Sequence, residues 1–261
     1  MSIREGDKYM ECENNNSINL PFKIPKYKTY SINTAINGIL EAYGDDKLWL
    51  YNNYISLWIY ARRSRKEYMV DFKYDKDINY YEQCPMLKAE IVEVRKNHNI
   101  INIIKDSIDN RKYIFLAVDT YFIDSWWNNV KSKIHSEHEM LILGYDNEKK
   151  VIIAADFFKQ TYSIQEIPYL DFRMAFDAHM GYIRKRDNVN AVDIRTFKYL
   201  KNKKYTLYVD RIRNMISDFL NSQENTINDD SDLFTVHEEV LYGIECLNHI
   251  LEYFKECICK N

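Results

Sequence analysis

HSEHEMLILGYDNEKKVIIAADFF, residues 135–158, is the stretch on which the reading of the chain turns. Residues 140–145 and 151–155 are apolar runs of strand length. Asp146, Asn147, Glu148, Lys149 and Lys150 lie between them, with the polar character that turns use. The pattern predicts a β-hairpin. A titratable residue stands at each outer end, His138 before the first strand and Asp156 after the second. If Tyr145 faces Val151, His138 lies opposite position 158, and Asp156 is its diagonal neighbour on the same face. A slip of one residue at the turn would send the two side chains to opposite faces. An imidazole oriented by a carboxylate is the base half of a nucleophilic triad, so the hairpin calls for a nucleophile elsewhere in the chain.

Composition sets the bounds. The 261 residues suit one large domain, or one domain with an appendage, and 46% apolar content can build a substantial core. A net charge of −3 gives no argument for nucleic acid. No apolar run is long enough to span a bilayer. The first residues are polar and partly acidic without an apolar signal segment, so a cytoplasmic location is expected. The five cysteines (Cys12, Cys84, Cys246, Cys257 and Cys259) are odd in number and lack paired CxxC spacing. Free thiols are expected, and a structural zinc site is not.

Outward from the hairpin, residues 31–44 read SINTAINGILEAYG, with Ile32, Ala35, Ile36, Ile39, Leu40 and Tyr43 at helical spacing and Gly44 at the capping position. Pro21 and Pro25 keep the preceding segment extended. Helices are also expected over 48–60, 85–104, 169–180, 205–220 and 236–258. Strands are expected over 113–119, which reads YIFLAVD, and over 162–164. Residues 68–81 alternate only weakly. Arg62, Arg63, Arg65 and Lys66 form a basic run, which is a solvated face or a surface for an acidic partner. Residues 221–232 are a polar, acidic linker. The division expected is a catalytic domain over 1–190 and a helical extension over 191–261. The fold class expected is α+β: a nucleophile helix from Ser31, an antiparallel sheet carrying His138 and Asp156, then C-terminal helices.

Ser31 at the start of its helix completes the set. The stretch from Ser31 through Ala35, Ile39, Leu40 and Gly44 resembles the nucleophile helix of the papain-like cysteine proteins, notably the double-glycine leader peptidases. There the catalytic Cys is followed by a small residue, an Ile-Leu pair and a Gly. The run from His138 through Leu143, Gly144, Tyr145 and Asp146 is similar to the same group's His element, and Asp156 falls where the family has its orienting Asp or Asn. Val118, Asp119, Thr120 and Tyr121, followed by aromatics, resemble the branch typified by butirosin biosynthesis protein H. Members of that branch are acyltransferases and amide synthases of natural-product pathways. The resemblance covers residues 20–180. It implies a papain-like fold and a Ser31, His138, Asp156 triad. It also implies a carrier protein whose phosphopantetheine is the substrate arm, a small amine acceptor, and no bound cofactor.

Two positions depart from the pattern. The nucleophile is Ser, not Cys, and the oxyanion-hole Gln six residues earlier is Pro25. The Ser31 N–H at a helix N-terminus can supply one oxyanion donor. Ser is a poorer nucleophile than a thiolate, so weak activity or none is expected of this chain, as a Cys→Ser change made to trap a complex would leave it. A natural Ser enzyme and an inactive homologue are the alternatives. Asp119, Tyr121 and Trp126 are expected to line the acyl or amine pocket, the alternative being a strand-end cap and packed rings. His135 and His138 with Asp156, Glu137 and Glu139 offer metal ligands, although at no known zinc spacing, and no metal is expected. The rival functions are a cytosolic peptidase and a non-catalytic binding module. For Ser31 the plain alternative is a helix N-cap, and for His138 a hydrogen-bonded core residue.

Overall fold

A computed structural model describes residues 16–62, 67–72, 84–96, 98–126, 134–187, 190–223 and 239–259. The hairpin is present, as β6 (Glu137–Asp146) and β7 (Val151–Asp156). At the turn it pairs Asp146 with Val151 and Tyr145 with Ile152, one residue away from the register expected. A bulge between Ile142 and Gly144 absorbs that slip, and beyond it Ile142 faces Ala154 and Leu141 faces Ala155. Continued outward, this register makes Asp156 the diagonal, same-face neighbour of His138.

The bulge lies where another strand crosses. β1 (Ser17–Asn19) pairs Asn19 with Gly144. A Cβ at Gly144 would sit 2.1 Å from the Ile18 carbonyl oxygen, so only glycine permits the approach. Gly144→Ala is therefore expected to cost about 1–3 kcal/mol by pushing β1 off the sheet. Urea unfolding measures it, and an unchanged midpoint would contradict so close an approach of the two backbones.

The central sheet has seven strands in an antiparallel arrangement. β4 (Leu87–Arg95), β9 (Ala191–Tyr199), β5 (Tyr113–Asp119), β6, β7 and β8 (Ser163–Pro168) lie in that order, with β1 added to β6. α1 (Ser31–Tyr43) packs on β6 and β7, α3 (Ile100–Asp109) on β5 and β6, and α4 (Tyr169–Asp187) chiefly on β5. Ile36, Ile39, Phe115, Leu141, Ile142 and Ile152 are closed off from solvent between these layers, which anchors β6 rigidly under the site. A second sheet of three strands is formed by β10 (Glu239–Tyr242), β2 (Leu57–Arg62) and β3 (Glu67–Phe72). The architecture is mixed α+β, as expected. Among the described residues no helix is long and apolar enough to cross a membrane.

Three helices expected from the sequence are corrected. The one over 48–60 is α2 (Asp46–Asn53) followed by β2, whose LWIYAR run is claimed by pairing with β3 and β10 on its two sides. The one over 85–104 is β4 followed by α3. Asn99 separates them, its side chain accepting from the Ile101 N–H at 3.0 Å as an N-cap. The one over 236–258 is β10 followed by α6 (Ile244–Cys259), divided at Gly243, whose φ of 58° no helix tolerates. The helix expected from 205 begins at Val209, as α5 (Val209–Leu220). β9 follows directly on position 190 and lies inside the central sheet, so the chain leaves that sheet only after Tyr199.

Candidate functional site

Ser31 is the first residue of α1. The N-cap position belongs to Tyr30, which is extended (φ −64°, ψ 152°) and makes no side-chain cap. The turn into the helix is held by Thr34. Its hydroxyl accepts from the Thr29 N–H at 3.0 Å and donates to the Thr29 carbonyl at 3.3 Å. The capping alternative for Ser31 therefore does not describe its place in the fold. The side chain is buried, and its Oγ lies 3.4 Å from His138 Nε2. The start of α1 surrounds it with the partial positive charge of a helix N-terminus.

His138 and Asp156 meet as the bulged register requires. Nε2 lies 3.3 Å from Oδ1 and 3.3 Å from Oδ2 of the carboxylate. Asp156 is wholly buried, and its Oδ1 accepts from the Phe157 N–H at 2.7 Å. Burial pushes its carboxyl above the usual range, opposed by the bond to His138, the imidazole charge and the Phe157 amide. Oδ2 is buried without a hydrogen bond among the described residues, as is the hydroxyl of Tyr162, whose pKa burial and the Asp156 charge both raise. The indole of Trp126 lies against the imidazole, with centroids 4.4 Å apart, and is braced edge-on by Phe158.

The arrangement has one consequence for chemistry. A single imidazole nitrogen faces both Ser31 and Asp156, whereas a triad uses one nitrogen for each. An Nε2–H held by Asp156 cannot also accept the Ser31 proton. Proton abstraction requires the ring to turn against Trp126 until its two nitrogens address the two groups separately.

Of the other residues expected at the site, Trp126 reaches it directly. Asp119 and Tyr121 converge on His135 instead. His135 Nδ1 is 2.6 Å from Asp119 Oδ2, and its ring is stacked on Tyr121 at 4.2 Å. Asp119 Oδ1 also accepts from the N–H groups of Tyr121 and Ser136. This cap fastens the end of β5 to the segment that leads into His138. Glu137 and Glu139 are on the face of β6 away from His138. Glu137 Oε2 lies 3.5 Å from Nδ1 of the buried His179 of α4, and burial raises the Glu139 carboxyl. The two histidines weighed as metal ligands thus address different carboxylates. Among the described residues no three His, Cys, Asp or Glu side chains converge.

The thiols that the structure describes are not poised as nucleophiles. Cys84 and Cys246 are buried, and burial pushes the first up to about 12 and the second up to about 11. Arg63, Arg65 and Lys66 lie outside the described residues, as does the linker from 224 to 232. Sequence reasoning missed the Asp119–His135 pair and the Thr29–Thr34 clasp. The spacing of Thr29 and Thr34 around Ser31 was the available signal for the second. The first depends on a β5–β6 register that no short-range pattern encodes.

Comparison of the chain with family models, with curated proteins and with solved structures finds no match.

Proposed function

We propose that this protein is an acyltransferase of papain-like fold that forms amide bonds from a carrier-bound thioester. The observation that carries the reading is the meeting of Ser31 Oγ, His138 and a wholly buried Asp156, brought from a helix N-terminus and two adjacent strands. With a thiol at position 31, His138 takes its proton and the sulfur attacks the thioester carbonyl. The carbonyl–sulfur bond of the donor breaks, and its thiol leaves with the proton from His138. An amine then attacks the acyl-enzyme, gives a proton to the imidazole, and releases the amide and the enzyme thiol. The first-turn N–H groups of α1 favour the negative oxygen of each tetrahedral species. Ser31 runs the same sequence through an ester, more slowly, because its hydroxyl is far less acidic than a thiol.

Intact-protein mass spectrometry of the Ser31→Cys chain after incubation with an acyl-loaded carrier protein tests the reading. The expected result is one acyl adduct on the introduced thiol, discharged by an added primary amine to the amide. Absence of an adduct with a competent thioester donor would sink the carrier-thioester mechanism. Cleavage of a peptide by the same variant, without a carrier, would move the assignment to the peptidase alternative.

A further inference from the structure

On the flank of α1 lies a cavity of about 760 Å³, bounded by the segment from Pro25 to Thr29 and by α2. Thr29 stands two residues ahead of Ser31. At its wall is Asn37, further along the helix from Ser31 by about 9 Å at the rise of an α-helix. Asn37 is 1% exposed. Its Nδ2 donates to the Tyr54 hydroxyl at 2.7 Å, while its Oδ1 is buried without a donor among the described residues. A buried acceptor left unserved favours a ligand that brings an N–H or O–H to it. Tyr27, Leu50 and Tyr51 give the cavity apolar walls.

The mouth is charged. Lys26, Lys28 and Lys47 are exposed around it, and none lies within ion-pair distance of a carboxylate among the described residues. Glu41 and Asp46 also line the cavity and are half-buried, so the exposed charge around it is that of the three lysines. A ligand suited to these features is anionic at its outer end, apolar along its middle, and carries an amide N–H inward.

We infer that this cavity seats the arm that delivers the acyl group, a phosphopantetheine whose phosphate meets Lys26, Lys28 and Lys47 and whose amide N–H reaches Asn37 Oδ1. The inference rests on the acyl-transfer reading above and adds to it a binding site on the flank of the nucleophile helix. The shared chemistry is that of the arm, whether it comes on a carrier protein or on coenzyme A.

The test is equilibrium binding by the full chain, with free phosphopantetheine and with pantetheine, which lacks the phosphate. Phosphopantetheine is expected to bind about tenfold tighter or more. Charge reversal at the three lysines (K26E, K28E, K47E) is expected to abolish that preference, and Asn37→Leu to weaken both probes. Should the buried Asn37→Leu variant fail to fold, the exposed lysines still decide the matter. Binding of either coenzyme A or the arm on a carrier protein, with the same lysine dependence, supports the site and identifies its source. Equal affinity for the two probes, or a preference that survives charge reversal, overturns it. An acyl adduct on the Ser31→Cys chain together with equal probe binding removes this site and leaves the acyl-transfer reading standing. Selective phosphopantetheine binding without an adduct does the reverse.

Discussion

In a Ser31→Cys chain, replacing His138 with Ala is expected to slow acylation by about 10²–10⁴-fold near neutral pH. The imidazole lies 3.4 Å from the nucleophile position and is the titratable side chain that the structure brings there. Without it, attack depends on the small fraction of thiolate that an ordinary thiol supplies. The pH dependence separates this role from a structural one. An unassisted thiol ionises near about 8.5, so the gap between the two variants should narrow as pH rises above about 9. Adduct formation followed by mass spectrometry at several pH values gives both numbers. Rates within threefold of each other at pH 7 would remove His138 as the base. A gap that stays constant to high pH would point to disruption of the pocket rather than loss of a proton acceptor.

What the sequence revealed of this site follows from which interactions are local. The hairpin was legible because Met140 to Tyr145 and Val151 to Ala155 are apolar runs with nothing but a turn between them, and its two polar ends name themselves. The start of α1 was legible for the same reason, since Ile32, Ile36, Ile39 and Leu40 report the face that the core buries. The turn register was not legible. It is one residue from the simple expectation and is restored by a bulge that depends on β1, more than a hundred residues earlier in the chain. Long-range pairing also hid β4 and β2. Leu87 to Arg95 has apolar residues at spacings that suit a helix, yet β9 offers it nine backbone partners and wins. Trp58 and Ile59 likewise extend because strands lie on both sides of them. β9 carries charged residues through its length, among them Asp193, Arg195 and Lys198, and gave no apolar run to read. The shared use of one imidazole nitrogen is a matter of side-chain torsion, which sequence spacing cannot convey.

Asp156→Asn is expected to stabilise the fold at neutral pH while weakening the site. The carboxylate is wholly buried, one oxygen lacks a hydrogen bond among the described residues, and burial raises its pKa above the usual value. A raised carboxyl pKa means that the folded state binds the proton more tightly than the unfolded state. The stability that this supplies is complete below the unfolded value near about 3.9. It is lost as pH rises through the higher folded value. Asn never ionises and escapes that loss. The variant should therefore unfold at a higher temperature than the parent at pH 7–8, by an advantage of about 1–3 kcal/mol, and the advantage should shrink toward pH 4. In the Ser31→Cys background, Asp156→Asn should slow acylation, because the amide still touches the ring but no longer stabilises the imidazolium that forms when His138 takes the proton. Asp156→Ala should lose more, because nothing then holds the imidazole against Trp126. Thermal unfolding across pH 4–8 settles the stability half. An advantage that grows as pH falls would mean that the buried carboxylate is stabilised by His138 more than it is penalised by burial, and the site would then hold no strained charge. Conversely, a stabilised and slower Asn variant would identify Asp156 as a charge kept buried for the imidazole it orients, at the expense of the fold that surrounds it.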